Sequence, residues 1–148
     1  YAGYYPAWSD ATYINLMRLF RLDRHAKIGG FSKGMQRQAA ILLGLSTGAR
    51  TMLLDESFDG LDLGKRISLK LLLRRYAQVR RASVILSSHN LRELEDVADD
   101  IGMIQDHRLI FDESVESLHA KNPGKTLEQI FLDEGEVSAD DIEDVFAW

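Results

Sequence analysis

Two adjacent carboxylates, Asp55 and Glu56, close the apolar run Thr51-Met52-Leu53-Leu54. A short apolar run bounded by Gly48 and by acids predicts a buried strand of a parallel sheet. Ligands of such sheets sit beyond the carboxyl ends of the strands. A carboxylate there can hold Mg²⁺ through waters, because the ion gives up its hydration shell reluctantly. A neighbouring carboxylate can orient or deprotonate an attacking water. Successive side chains on a strand point opposite ways, so the two acids need not share one role. Two acids that cap the next helix or face solvent would read the same way in this segment alone.

Three other segments carry possible chemistry. Phe31-Ser32-Lys33-Gly34-Met35 runs into Gln36-Arg37-Gln38. A small polar residue and a glycine at a helix start expose backbone N–H groups, which with the helix dipole attract a phosphate. Lys33 adds a positive charge. Ser87-Ser88-His89 ends a second apolar run, where a histidine can contact a phosphate or a catalytic water. Asp59-Gly60-Leu61-Asp62 follows the acid pair. Taken singly, these are equally a capped helix, an exposed histidine and an Asp-Gly turn.

The elements that must position these residues are legible from spacing. Ser9 or Asp10 caps a helix whose apolar face is Tyr13, Leu16, Met17 and Phe20. Residues 23–30 form a loop with Gly29-Gly30 as its turn. Ser32 to Leu45 is a second helix, and Gly64 to Arg80 a third, with Leu69, Leu72, Leu73 and Tyr76 as its stripe. Ser83 to Leu86 is a second buried strand. Asn90 and Glu93 resemble a capping box for the next helix. Ile101 to Gln105 and Arg108 to Asp112 form a hairpin around Asp106-His107. Ser114 to His119, Thr126 to Leu132 and Ser138 to Phe146 are short helices. Alternating strands and helices in the middle predict an α/β fold with crossover helices.

Composition narrows the class. The 148 residues are 45% hydrophobic and 28% charged, which is the profile of a globular domain. There is no cysteine, so no disulfide or thiolate metal site exists, consistent with a reducing cytoplasm. No stretch is apolar enough to span a bilayer, and residues 1–6 do not resemble a signal peptide. The chain begins at Tyr1 rather than methionine and is expected to be a piece of a longer protein. Net charge is −5, yet eight carboxylates and no Lys or Arg follow Lys125, leaving the preceding residues at +3. That acidic run suits a solvated surface and argues against nucleic acid as a partner.

In their order and spacing, the four segments resemble the ABC ATPase family. Phe31-Ser32-Lys33-Gly34-Met35, Leu53-Leu54-Asp55-Glu56, Gly60-Leu61-Asp62 and Ser87-Ser88-His89 match its signature motif, Walker B, D-loop and switch histidine in turn. The likeness runs from about Tyr4 to Leu132. It implies the C-terminal portion of the ATPase subunit of an ABC transporter, with a P-loop NTPase-like α/β core on a parallel sheet. It also implies roles. Asp55 would help hold Mg²⁺ through water, and Glu56 would be the general base or would polarise the attacking water. His89 contacts the γ-phosphate. Ser32 and Gly34, with Lys33, Met35 and Gln36 around them, face the γ-phosphate of ATP held mainly by a second subunit. Gln36 and Arg37 support the signature helix, and Asp62 lies at the subunit interface. Residues 1–46 belong to the helical subdomain that faces a membrane-spanning partner. Residues 47–120 belong to the α/β core, and residues 121–148 form an acidic helical extension. Such a subunit works in the cytoplasm, on the inner face of the cell membrane.

The chain departs from the family pattern at four positions and in one absence. Lys33 replaces a glycine and Met35 a glutamine of the usual signature. Ser57 and Phe58 stand where proline and threonine are frequent. The largest departure is the lack of any Gly-x-x-x-x-Gly-Lys-Ser/Thr. Such a loop supplies most phosphate hydrogen bonds and a Mg²⁺-binding hydroxyl, so the chain alone is expected to have negligible ATPase activity. Sheet strands missing with it would leave apolar surface bare, predicting self-association. Two other readings remain open. One is an ABC-type ATPase serving DNA repair, chromosome organisation or translation, though no heptads flank the signature. The other is a truncated, non-catalytic binding module.

Overall fold

Each α-helix of the first half begins at a side chain that accepts one of its free N–H groups. Ser9 Oγ accepts Thr12 N–H at 3.1 Å and starts α1 (Asp10–Leu19). Ser32 Oγ accepts Met35 N–H at 3.3 Å and starts α2 (Lys33–Ser46). Asp62 Oδ1 accepts Lys65 N–H at 2.9 Å and starts α3 (Leu63–Arg80). These details come from a computed structural model, which describes residues 3–105 and 107–134. The chain divides into two compact units, Tyr1–His89 and Asn90–Trp148.

In the first unit, α3 is the crossover between two parallel strands, β1 (Thr51–Asp55) and β2 (Ser83–Ser87). Their register pairs Thr51 with Ser83 and Asp55 with Ser87, so both strands end level with each other. The helices α1 and α2 pack together, and Ser9 N–H bonds the Ser46 carbonyl at 2.9 Å. Leu16, Met17, Phe20, Ala39, Ile41, Leu42 and Leu45 join Met52, Phe58, Leu61, Leu69 and Leu73 in one apolar core. Tyr76 ties the core to the entry of β1, donating its hydroxyl to the Ala49 carbonyl at 2.6 Å. Burial raises the phenol above its usual range, against a smaller opposite pull from Arg80.

The expectation of two buried strands holds for one face only. Met52, Leu54, Val84 and Leu86 lie on the core side, whereas Leu53 is 75% and Ile85 62% exposed. A parallel sheet is buried twice only when helices cover both of its faces. Among the described residues no layer covers the Leu53–Ile85 face. The sheet therefore shows the alternation of a one-sided layer.

The second unit has a separate core. Asn90 Oδ1 accepts Glu93 N–H at 3.2 Å and starts α4 (Leu91–Glu95). An antiparallel pair follows, β3 (Asp100–Gln105) and β4 (Arg108–Ser114), with a register shift at Met103/Ile104. His107 at φ 62° takes the left-handed conformation the tight connection requires, while Asp106 lies outside the described residues. Ser114 caps α5 (Val115–Lys121), and α6 (Leu127–Glu134) completes the unit. Ile101, Leu118, Leu127 and Ile130 are its buried centre. Phe111 meets Phe131 edge-on at 5.3 Å. The helix expected over residues 138–146, and most of the acidic run, lie outside the described residues. Among the described residues no helix is long and apolar enough to cross a membrane.

Candidate functional site

The level ends of β1 and β2 bring the acid pair and the histidine together. Asp55 Oδ1 accepts a hydrogen bond from the Ser87 hydroxyl, its partner in the parallel register. Ser87 Oγ also accepts Glu56 N–H at 3.1 Å. This serine is therefore a hub between both acids. The sequence placed it in a motif without giving it a role, and only the register of two strands 32 residues apart in sequence reveals it.

Glu56 has φ 44°, a left-handed conformation that costs a residue with a Cβ roughly 1–2 kcal/mol. The turn swings its carboxylate off the strand axis and toward His89, whose Nδ1 lies 2.9 Å from Glu56 Oε2. Strain of this kind persists where surrounding contacts over-determine it. Here the contacts are two bonds at Glu56 N–H and the buried Phe58 two residues on, which is 2% exposed.

The start of α2 is fixed to the same loop. A Cβ on Gly34 would stand 2.9 Å from the Gly60 carbonyl oxygen, so only glycine allows this approach. Gly60 itself has φ 69°, the turn conformation expected of Asp-Gly. The Arg37 guanidinium donates to the Asp59 carbonyl. Gln36 Nε2 donates to the Ile28 and Phe31 carbonyls at 3.3 and 3.0 Å, holding the preceding turn. Ser32 and Lys33 are exposed at the helix start, and Gly34, Met35 and Gln36 are half-buried. Asp62 is exposed at the start of α3, with one oxygen committed to the cap.

These groups can do definite chemistry. Asp55 keeps one oxygen outside its bond to Ser87, enough to accept from a water on Mg²⁺. Glu56 is half-exposed and can accept a proton from water. Glu56, Asp59 and His89 each offer an atom within 4.8 Å of the others. Yet the two ring nitrogens of His89 turn to different carboxylates, Nδ1 within hydrogen-bond distance of Glu56 and Nε2 4.0 Å from Asp59, so the ring lies between the two acids. The residues present suit the Mg²⁺ and γ-phosphate end of a nucleotide. The chain contains no glycine-rich loop to cradle the rest of it.

No family model matches. The chain is 30% identical over 123 residues to the Bacillus subtilis (strain 168) ABC transporter ATP-binding protein YcbN, whose own function is uncharacterised, spanning 82% of the chain and 39% of that protein. It is 25% identical over 117 residues to the bacitracin transport ATP-binding protein BcrA of Enterococcus faecalis, spanning 79% of the chain and 37% of that protein. A solved structure of the ATP-binding subunit of an ABC transporter superposes with a TM-score of 0.70 at 25% identity, covering 85% of this chain and 55% of that one. The chain thus spans about two fifths of the length of these sequence relatives. Relatives and fold together place the chain in the family of ABC transporter ATP-binding proteins.

Proposed function

We propose that this chain is the portion of an ABC transporter ATPase subunit that carries Walker B, the switch histidine and the signature helix. One observation supports this most strongly. Glu56 and His89 meet at the level ends of two parallel strands, and the loop after them is braced against the start of α2. In this reading ATP lies between two subunits arranged head to tail. Asp55 accepts from the water shell of Mg²⁺, and the ion supplies neutralisation of phosphate charge. Glu56 orients the attacking water and takes its proton. His89 donates to the γ-phosphate. Ser32 and the free N–H groups after it face the γ-phosphate of the nucleotide held by the partner subunit, with Lys33 adding charge. Asp62 lies against that partner.

The second subunit and a membrane-spanning partner follow from the same reading, as does a place on the inner face of the cell membrane. Residues 1–46 then face the membrane partner, 47–120 hold the catalytic strands, and 121–148 extend them. The acidic run after Lys125 speaks against nucleic acid. Transport is favoured over other ABC-type roles because the relatives are named for transporters.

The test is ATP hydrolysis by the complete subunit. Glu56→Gln should reduce phosphate release to background while leaving nucleotide binding intact. Turnover that survives the substitution would overturn the assignment of Glu56. Turnover by the 148-residue chain alone would show that the site is complete without a glycine-rich loop, contrary to this proposal.

A further inference from the structure

Asp59 has no role in the reading above, yet it lies where three segments meet. Its carbonyl accepts an N–H of Arg37, and its carboxylate stands 3.9 Å from the same guanidinium. On the other side, Asp59 Oδ1 stands 4.0 Å from His89 Nε2. His89 Nδ1 in turn lies 2.9 Å from Glu56 Oε2. Arg37, Asp59, His89 and Glu56 thus form a line of polar contacts, from α2 across the loop to the ends of both strands. The loop holds Asp59 from within. Its N–H bonds the Glu56 carbonyl at 3.3 Å, and the neighbouring Phe58 is buried. A simple Asp-Gly turn requires none of the contacts to Arg37 and His89.

We infer that Asp59 is a positioning residue that orients His89, an inference that rests on the ATPase reading of this site. An imidazole with a carboxylate at each nitrogen satisfies both only when both nitrogens carry hydrogen. Glu56 engages Nδ1, so Asp59 is the group that favours N–H at Nε2. That nitrogen must bear hydrogen if it is to donate to a phosphate oxygen. Arg37 fixes the Asp59 backbone and balances its charge, so the carboxylate stays aimed at the ring. The separation of 4.0 Å is an ion-pair distance, longer than a hydrogen bond. The side chains of His89 and Asp59 are 73% and 42% exposed, so the pull is screened and modest.

The ring ¹⁵N signals of His89 test this in nucleotide-free protein at neutral pH and low salt. Asp59→Asn should move the Nε2 signal toward that of a bare nitrogen, and Asp59→Glu should restore it. Added salt should shrink the difference between wild type and Asp59→Asn. In the complete subunit, Asp59→Asn should lower kcat about two- to fivefold with little change in KM for ATP. Should the Asn variant fail to fold, Asp59→Ser is read at the same nitrogen. Unchanged ring signals in a folded Asp59 variant would overturn the inference, even where Glu56→Gln abolishes turnover. Ring signals that respond to Asp59 in a complete subunit that shows no ATP turnover would instead overturn the ATPase reading and leave the orienting contact standing.

Discussion

Each unit of the molecule contains a histidine beside a glutamate. In the first, His89 Nδ1 lies 2.9 Å from Glu56. In the second, His119 Nε2 lies 2.7 Å from Glu95. By distance alone the second pair is the better one. His119 sits in the last turn of α5, where a cation complements the helix dipole. Its surroundings are ordinary surface pairs, Lys121 with Glu113 and Arg92 with Glu128. The first pair differs in where it lies. Glu56 is held at positive φ just past a strand end, and His89 is mostly exposed at the neighbouring strand end. Asp55, Ser87, Asp59 and the start of α2 are joined to that pair or to each other. A contact distance therefore does not mark a site. Convergence of element ends and a strained backbone do.

Substitutions can break or sharpen this contrast. The largest effect is expected on turnover. Glu56→Gln should cost the complete subunit about 10²–10⁴-fold in phosphate release, the range typical of a lost general base. Glu95→Gln should change it less than about twofold. Equal losses from the two would erase the distinction between the pairs.

Next comes the support beneath the strained turn. Phe58→Ala should destabilise the first unit by about 3–5 kcal/mol in urea unfolding, because an aromatic ring is removed from a closed core. A loss under about 1 kcal/mol would mean that Phe58 does not brace the turn. Smaller still is the strain itself. Glu56→Gly should unfold at higher urea than Glu56→Gln, by about 1 kcal/mol, since both lose the charge and only glycine relieves the left-handed backbone. The reverse order would show that the turn is not strained.

The smallest effect belongs to the second unit. Hydrogen bonds from Lys121 and then Ser117 hold the Glu113 carboxyl below its usual range. A lowered carboxyl pKa contributes stability above the unfolded value, and this fades as pH falls through the folded one. Lys121→Ala should therefore lower Tm slightly near neutral pH and not at all in acid, below the glutamate range. A thermal scan that shows the same deficit in acid would assign the effect to packing instead.

Much of this was legible in the sequence because it is local. Ser9, Ser32 and Asn90 announced helices through capping that reaches only three residues ahead. The apolar runs before Asp55 and Ser87 announced strands for the same reason. The motif implies a glycine facing phosphate at Gly34, and the structure adds a second demand on it, the nearby Gly60 carbonyl. Ser87 and Asp59 passed as parts of a motif and a turn, since their partners lie tens of residues away in sequence.

By itself, the order of residues determined the elements, their caps and the chemistry available at their ends, since each depends on neighbours within a turn or a strand. Only the tertiary structure decided which face of the parallel pair is covered, leaving Leu53 and Ile85 bare beside a buried Met52. It also decided which oxygen of Asp55 is occupied and which nitrogen of His89 meets which acid. The physical reason is that strand register and helix docking are set by burial of the core as a whole. A shift of one residue would turn the opposite side chains toward the site.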